Sequence, residues 1–244
     1  MVLNQLNKEI HQLEKEQGQS NLNTQVIIAA LNEEEGIGLT ITEMMDALNN
    51  PHVLVVDGNS TDRTIEVAKN LGATVAFQEG KGKGDALAKG LEHLDPEAKY
   101  IVITDADYTY PAESVPDMIK LLEENPEVGM VCGNRLNGNV QPEALHRVFH
   151  IGNLLIAFTY NLLSNIPLKD PLTGLRVVRA DILRSWKIKS KGFDIEVELN
   201  RLVEKRKYDI VEVPIQYRER LGQKKLGLKH GAEIFRRIIS ETFY

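Results

Sequence analysis

Sulfur and tryptophan are scarce in this chain: its 244 residues hold one cysteine, Cys132, and one tryptophan, Trp186. A single cysteine excludes a disulfide within the chain and a zinc site built from cysteines, and it suits a reducing compartment. Long apolar runs are also missing. The nearest approach, VFHIGNLLIAFTYNLL from Val148 to Leu163, is broken by His150, Asn153 and Asn161. It falls short of the roughly 18 apolar residues a spanning helix needs. The N-terminal MVLNQLNKEIHQLEKEQ has no apolar core of the signal-peptide kind. Positive charge is not in excess either. The net charge of −6 argues against a protein that coats nucleic acid. The histidines show no HExxH spacing, and neither a GxSxG elbow nor a Walker A loop occurs.

What is present is ordinary globular usage, with 42% hydrophobic and 26% charged residues, so disorder and collagen-like structure are excluded. The length suits one large domain with or without an appendage. Residues 1–22 read as that appendage, because Leu3, Leu6, Ile10 and Leu13 give a short amphipathic helix. The domain then runs over 23–244, with halves at about 23–135 and 136–244.

From Thr24 onward, apolar runs alternate with helical patterns. Strands are expected at 24–30, 53–56, 74–77, 100–104 and 128–132. Helices are expected at 33–48, after the capping residues Ser60 and Thr61, and at 83–93 and 112–124. Such β-α-β-α alternation predicts a mostly parallel sheet with helices on both faces. In the second half, helices are expected over 142–163, 193–207 and 228–243, a short strand at 175–178, and extended chain at 208–217 broken by Pro214.

Polar residues follow four of these strands. Asn32 and Glu33 follow the first, Asp57 the second, Asp105 and Asp107 the fourth, and Asn134 and Arg135 the fifth. A parallel sheet collects such residues along its carboxyl edge, where ligands bind. Two carboxylates one residue apart repel each other unless a cation lies between them. A solvated turn is the plain reading of Asp105 and Asp107. A hard cation such as Mg²⁺ or Mn²⁺, bound also by substrate phosphates, is the sharper one. GKGKGDALAKG (80–90) sets glycines and Lys83 before a helix, which would let backbone approach an anion. RERLGQKKLG (218–227) is dense in cations and has the make-up of a loop that closes on a phosphate.

The ordered set VIIAALNEEEGI, VVDGNSTDRT, GKGKGDALAKG, ITDADYTYP and GNR resembles the nucleotide-binding half of family-2 glycosyltransferases. The later DPLTGLRVVR, GFDIEVEL and VPIQYRERLGQKKL are similar to the subgroup that makes dolichyl-phosphate sugars. The resemblance covers roughly residues 24–230. It implies a GT-A fold, Rossmann-like, with three α/β/α layers on a mostly parallel central sheet. Ala30, Asn32, Glu33, Asp57, Lys83 and Asp105 would contact the nucleotide, and Asp105 and Asp107 match its metal-binding DxD motif. Arg135 and Arg147 match cations at the sugar and acceptor end; Arg218, Arg220 and Lys225 match the loop that grips the acceptor phosphate. Four positions depart from the usual pattern: Ala29 stands where Pro is common, Gly58 where a second Asp is common, and Tyr108 and Thr109 follow the DxD where mannosyl enzymes often have Leu and Gln. The donor is therefore left open among GDP-mannose, UDP-glucose and UDP-N-acetylglucosamine.

The implied reaction is metal-dependent, inverting transfer of a sugar to a polyprenyl or dolichyl phosphate, on the cytoplasmic face of a membrane to which the chain binds peripherally. A phosphate acceptor, with a second pKa of about 6, is already anionic and needs cations more than a base. Glu196 and Glu198 are the nearest base candidates, with a structural role favoured for Glu198. The alternatives are a transferase with a soluble acceptor, a sugar nucleotidylyltransferase, and a binding module without catalysis. Against the nucleotidylyltransferase, the loop LNEEEGIG after the first strand lacks arginine.

Overall fold

The computed structural model describes residues 24–136, 147–223 and 228–242, with backbone only at 147–154, 228–230 and 242. The expected N-terminal helix, the side chain of Arg147, and Lys225 lie outside the described residues.

The elements run β1 (Thr24–Ala30), α1 (Ile37–Ala47), β2 (His52–Asp57), α2 (Thr64–Asn70), β3 (Thr74–Phe77), α3 (Lys83–Leu91) and β4 (Tyr100–Asp105). A 3₁₀ turn (Ala112–Ser114) leads into α4 (Val115–Glu124), followed by β5 (Val128–Asn134), α5 (Arg147–Leu163) and β6 (Arg176–Arg179). The chain closes with α6 (Ala180–Leu183), α7 (Ile195–Lys205), β7 (Asp209–Pro214) and α8 (Leu228–Thr242). The strands form one seven-stranded sheet in the order β3-β2-β1-β4-β6-β5-β7.

The unbroken apolar strands are explained by burial on both faces. Val26, Ile28, Val55, Val102 and Val131 pack on one side against Ile37, Ile41 and Met44 of α1 and Met118 and Leu122 of α4. Ile27, Leu54, Ile101, Ile103 and Met130 face the other way, onto Leu87 of α3, Val197 and Leu199 of α7, and Ile234 and Ile238 of α8. The result is three layers, α/β/α.

One strand breaks the parallel pattern. β6 enters between β4 and β5 and runs antiparallel to both. An antiparallel strand brings the residues that precede it, not those that follow, to the carboxyl edge. Ile103 pairs with Arg176, so two residues on, Gly174 lies level with Asp105. The stretch Asp170–Gly174 is thereby delivered to the site.

α5 is amphipathic in an unusual sense. Ile156, Ala157 and Tyr160 are buried, whereas Leu155, Phe158 and Leu162 are 61%, 67% and 72% exposed. Their i, i+3, i+7 spacing makes one uncovered stripe. α5 packs against α8, which adds the half-exposed Phe235 and Ile239. No described helix is long and apolar enough to cross a membrane.

The capping expectation is corrected. Asp62, not Ser60 or Thr61, holds the start of α2, accepting from the Thr64 amide at 3.0 Å and the Thr64 hydroxyl at 2.5 Å. Ser60 and Thr61 serve the site loops instead.

Candidate active site

Register sets the frame. Ala29 pairs with Asp105 on one side, and Ala30 pairs with Asp57 on the other. Asp57 and Asp105 therefore lie one level apart and two strands, about 10 Å, apart. Asp57 is fully buried. Its carboxylate accepts from the Ser60 amide at 2.7 Å and the Ser60 hydroxyl at 2.6 Å. The Ser60 hydroxyl in turn accepts from the Asn32 amide at 2.8 Å, and Asn32 Oδ1 accepts from the Thr61 amide at 2.8 Å. Asn32, with φ of 48°, takes the left-handed turn that Asn tolerates better than most side chains. These bonds tie the loops after β1 and β2 into one wall.

The second wall is built on β4. Lys83, at the start of α3, places Nζ 2.5 Å from Asp105 Oδ1 and 2.7 Å from Glu196 Oε1 of α7, with the Lys83 and Glu196 side chains almost wholly buried. Burial opposes the charge on Lys83, but Asp105 and then Glu196 outweigh it and hold the ammonium well above its ordinary pKa. Glu196 Oε2 has no hydrogen-bond partner among the described residues. Beside this bridge lies a small, partly open pocket lined by Ile27, Ala29, Lys83, Ile103, Gly174 and Glu196 among others.

Asp107 sits one turn on. Thr109 donates to Asp107 Oδ1 through its hydroxyl at 2.6 Å. Burial, and then the charge of Asp105, push the Asp107 carboxyl above the usual carboxylate range, and Thr109 and Arg220 offset this only in part. Arg220 thus compensates Asp107 only in part. Asp105 Oδ2 faces Gly174, where a β-carbon would collide with it. Two hard-oxygen groups one residue apart suit a divalent cation of the Mg²⁺ or Mn²⁺ class. No group of three or more candidate ligands occurs among the described residues. A cation there would draw its other ligands from substrate phosphates and water.

The segment after β7 crosses this wall. Arg218 donates its amide to Thr109 O at 3.0 Å, and Leu221 donates to Asp107 O at 3.1 Å. Two latches reinforce the crossing. Arg220 donates to both oxygens of Glu33, at 2.7 and 2.9 Å, and lies 3.7 Å from Asp107 Oδ2. Arg218 pairs with Glu43 of α1 at 2.9 Å and stacks on the Tyr108 ring at 4.5 Å from its centroid. The Tyr108 hydroxyl donates to the same Glu43 at 2.8 Å. Burial works against ionised Glu43, but Arg218 and Tyr108 outweigh it and hold its pKa below the ordinary value. Tyr108 has φ of 66°, a left-handed conformation that costs about 1–3 kcal/mol and is fixed from both sides by these contacts.

Arg135 leaves β5 and makes a two-pronged pair with Asp170, with both bonds 2.7 Å long, beneath the Tyr217 ring at 5.5 Å. Arg176 is buried. It donates to Thr173 O at 3.0 Å, to Pro171 O at 2.8 Å and to Asn200 Oδ1. It thereby fixes the loop that delivers Gly174.

The geometry brings together Asp105, Asp107, Lys83, Glu33 and Arg220. It sets Asn32 and Asp57 on the neighbouring wall, with Ala30 at the end of β1. Arg135 stands apart, locked to Asp170. The glycine loop has a different use from the one expected. A β-carbon at Gly82 would strike Lys191 O, and one at Gly84 would strike Ser190 O. The Gly84 amide donates to Lys191 O at 3.0 Å. Gly82 and Gly84 admit protein backbone. Glu43, Asp170 and Tyr217 were not singled out for a site from sequence. Their roles come from partners far along the chain, and no local spacing announces them.

Comparison with known proteins agrees with this architecture. The family model described as glycosyl transferase family 2 matches residues 25–186. A dolichyl-phosphate hexose transferase of Haloferax volcanii is 34% identical over 219 residues, which span 88% of this chain and 91% of that protein. A dolichol-phosphate mannosyltransferase of Pyrococcus furiosus is 26% identical over 221 residues, spanning 87% of this chain but 62% of that one. Glucosyl-3-phosphoglycerate synthase from Mycobacterium tuberculosis, solved with Mn²⁺, UDP-glucose and phosphoglyceric acid, superimposes with a TM-score of 0.72 at 22% identity, covering 91% of this chain and 80% of that. At that identity the likeness speaks for the fold, which is GT-A.

Proposed function

The chain belongs to glycosyl transferase family 2, and on that premise we propose that it moves a hexose from a nucleotide-diphosphate sugar to a polyprenyl phosphate, with inversion at the anomeric carbon. The observation that carries the lipid acceptor is the uncovered stripe Leu155, Phe158 and Leu162 on α5, beside Phe235 and Ile239 of α8. A stripe of this kind suits a membrane surface that presents a lipid phosphate. The names of the two relatives, each a transferase to a dolichyl or dolichol phosphate, favour the same acceptor.

The residues divide the work. Asp57 and the Asn32 wall would hold the nucleoside, and Lys83 would hold the diphosphate. Asp105 and Asp107 would hold a divalent cation, which when bound offsets the charge that builds on the departing nucleoside diphosphate. The incoming phosphate oxygen is its own nucleophile, so no side chain has to take a proton from it. Arg220, in the segment crossing Asp107, would receive the acceptor phosphate by exchanging one of its contacts with Glu33. That exchange keeps the guanidinium paired throughout, since a charged hydrogen bond is replaced by another.

The test is to supply Mn²⁺ and each of GDP-mannose, UDP-glucose and UDP-N-acetylglucosamine with either a short-chain polyprenyl phosphate in vesicles or 3-phosphoglycerate. The expected product is a lipid-linked hexose, with nucleoside diphosphate released in equal amount. Sugar appearing only on 3-phosphoglycerate would overturn the lipid acceptor, and release of pyrophosphate would overturn sugar transfer altogether.

A further inference from the structure

α8 lies outside the nucleotide-binding half, yet one of its side chains reaches inward. Arg237 Nε donates to Asp194 Oδ2 at 2.8 Å, and its guanidinium lies 3.8 Å from Glu198 Oε2. Both carboxylates are largely buried. They sit one helical turn apart at the start of α7, so they would repel each other without a cation between them. Each also grips the loop before α7. Asp194 Oδ2 accepts from the Ser190 hydroxyl at 2.7 Å, and Glu198 accepts from the Lys189 and Ser190 amides at 2.8 and 2.6 Å. That loop is the one against which α3 begins. The amides of Gly84 and Asp85 donate to Lys191 O at 3.0 and 3.3 Å, and the glycines at 82 and 84 leave room for nothing bulkier. Lys83 lies between those two glycines, and Glu196, the other partner of Lys83, follows Asp194 on the same helix.

We propose that Arg237 is a positioning residue for the donor site: through Asp194, Glu198 and the 189–192 loop it sets where Lys83 stands relative to Asp105. The C-terminal helix is then a working part of the nucleotide-binding half, joined to it by a continuous path of hydrogen bonds. Asp194 fits such a part. Burial opposes its charge, but the Ser190 hydroxyl and Arg237 outweigh this and hold its pKa below the ordinary value, so it stays ionised at neutral pH and keeps both grips.

The inference rests on the donor reading of Lys83, and the experiment separates the two. Donor affinity is measured calorimetrically at 10 °C with Mn²⁺ and the panel of three nucleotide sugars, on wild type, Arg237→Met, Arg237→Lys and Ser190→Ala. Thermal midpoints and acceptor KM are followed in parallel. The expected result is about 10-fold weaker donor binding in Arg237→Met, with acceptor KM unmoved. Arg237→Lys should lie within about 3-fold of wild type, and Ser190→Ala about 3-fold weaker, because one grip of several is lost. A helix that only packs would lower the thermal midpoint and leave donor affinity in the folded protein at the wild-type value. That outcome in Arg237→Met, or in Ser190→Ala should the first variant not fold, overturns the proposal. Wild type binding no donor would overturn the function on which it depends.

Discussion

Asp107→Ala is expected to lower kcat/KM by about 10³-fold, roughly 4 kcal/mol of transition-state stabilisation, without lowering the stability of the fold. The two halves of this result have one cause. Asp107 is buried beside Asp105, and its carboxyl titrates above the usual range. A carboxylate whose folded pKa is raised weakens the fold at pH values above that pKa, and the weakening is relieved as pH falls through it. The wild type therefore holds two carboxylates side by side at a cost that Lys83 and Arg220 offset only in part and that a bound divalent cation would relieve further. Alanine removes that cost and the binding group together. The thermal midpoint of Asp107→Ala at pH 7.5 should match or exceed that of the metal-free wild type, and addition of Mn²⁺ should raise the midpoint of the wild type alone. A variant that loses activity and unfolds at a lower temperature would mean that Asp107 is a structural turn residue.

Lys83→Met is the second large effect, and here stability falls with activity. Nζ is held between Asp105 and Glu196 at 2.5 and 2.7 Å. Removing one partner of a buried ion pair leaves an uncompensated charge and typically costs about 3–5 kcal/mol. In a domain of this size that is a drop of the order of 10 °C in thermal midpoint. Pairing the change with Glu196→Gln removes the orphaned charge on α7 and should return about half of the lost stability. Donor affinity should not return with it, because the cation facing the diphosphate is still missing. Recovery of donor binding in the double variant would show that Lys83 acts on the fold and not on the ligand.

The contrast between these variants also marks how much of the molecule was legible in its sequence. The strands at 24–30 and 128–132 were readable because both faces of the sheet are covered there, so the apolar run has no charged interruption. The polar residues closing β1, β2 and β4 were readable for the same reason, since a sheet edge is where such runs must stop. The place of β6 was not. Its four residues, RVVR, carry no sign of the strand pair they enter or of their direction, which follows from where the preceding loop must go. Pairings at the site were equally silent. Arg135 meets Asp170 across 35 residues, Arg237 meets Asp194 across 43, and Arg218 meets Glu43 across 175. The cations of the 218–227 stretch were visible as a cluster, but nothing local tells that Arg218 and Arg220 each face a glutamate from the first forty-five residues. The glycines at 82 and 84 were visible too. What they admit is the backbone at 190–191, and a glycine reports that something comes close without saying what.

Calorimetric titration of the wild type with UDP-glucose, UDP-N-acetylglucosamine and GDP-mannose, in Mn²⁺ and again in EDTA, tests the central claim most directly. The account predicts that one donor binds in Mn²⁺ and that chelation abolishes the binding. Equal affinity in EDTA, or no binding of any donor under either condition, would contradict a nucleotide-sugar site built on Asp105 and Asp107.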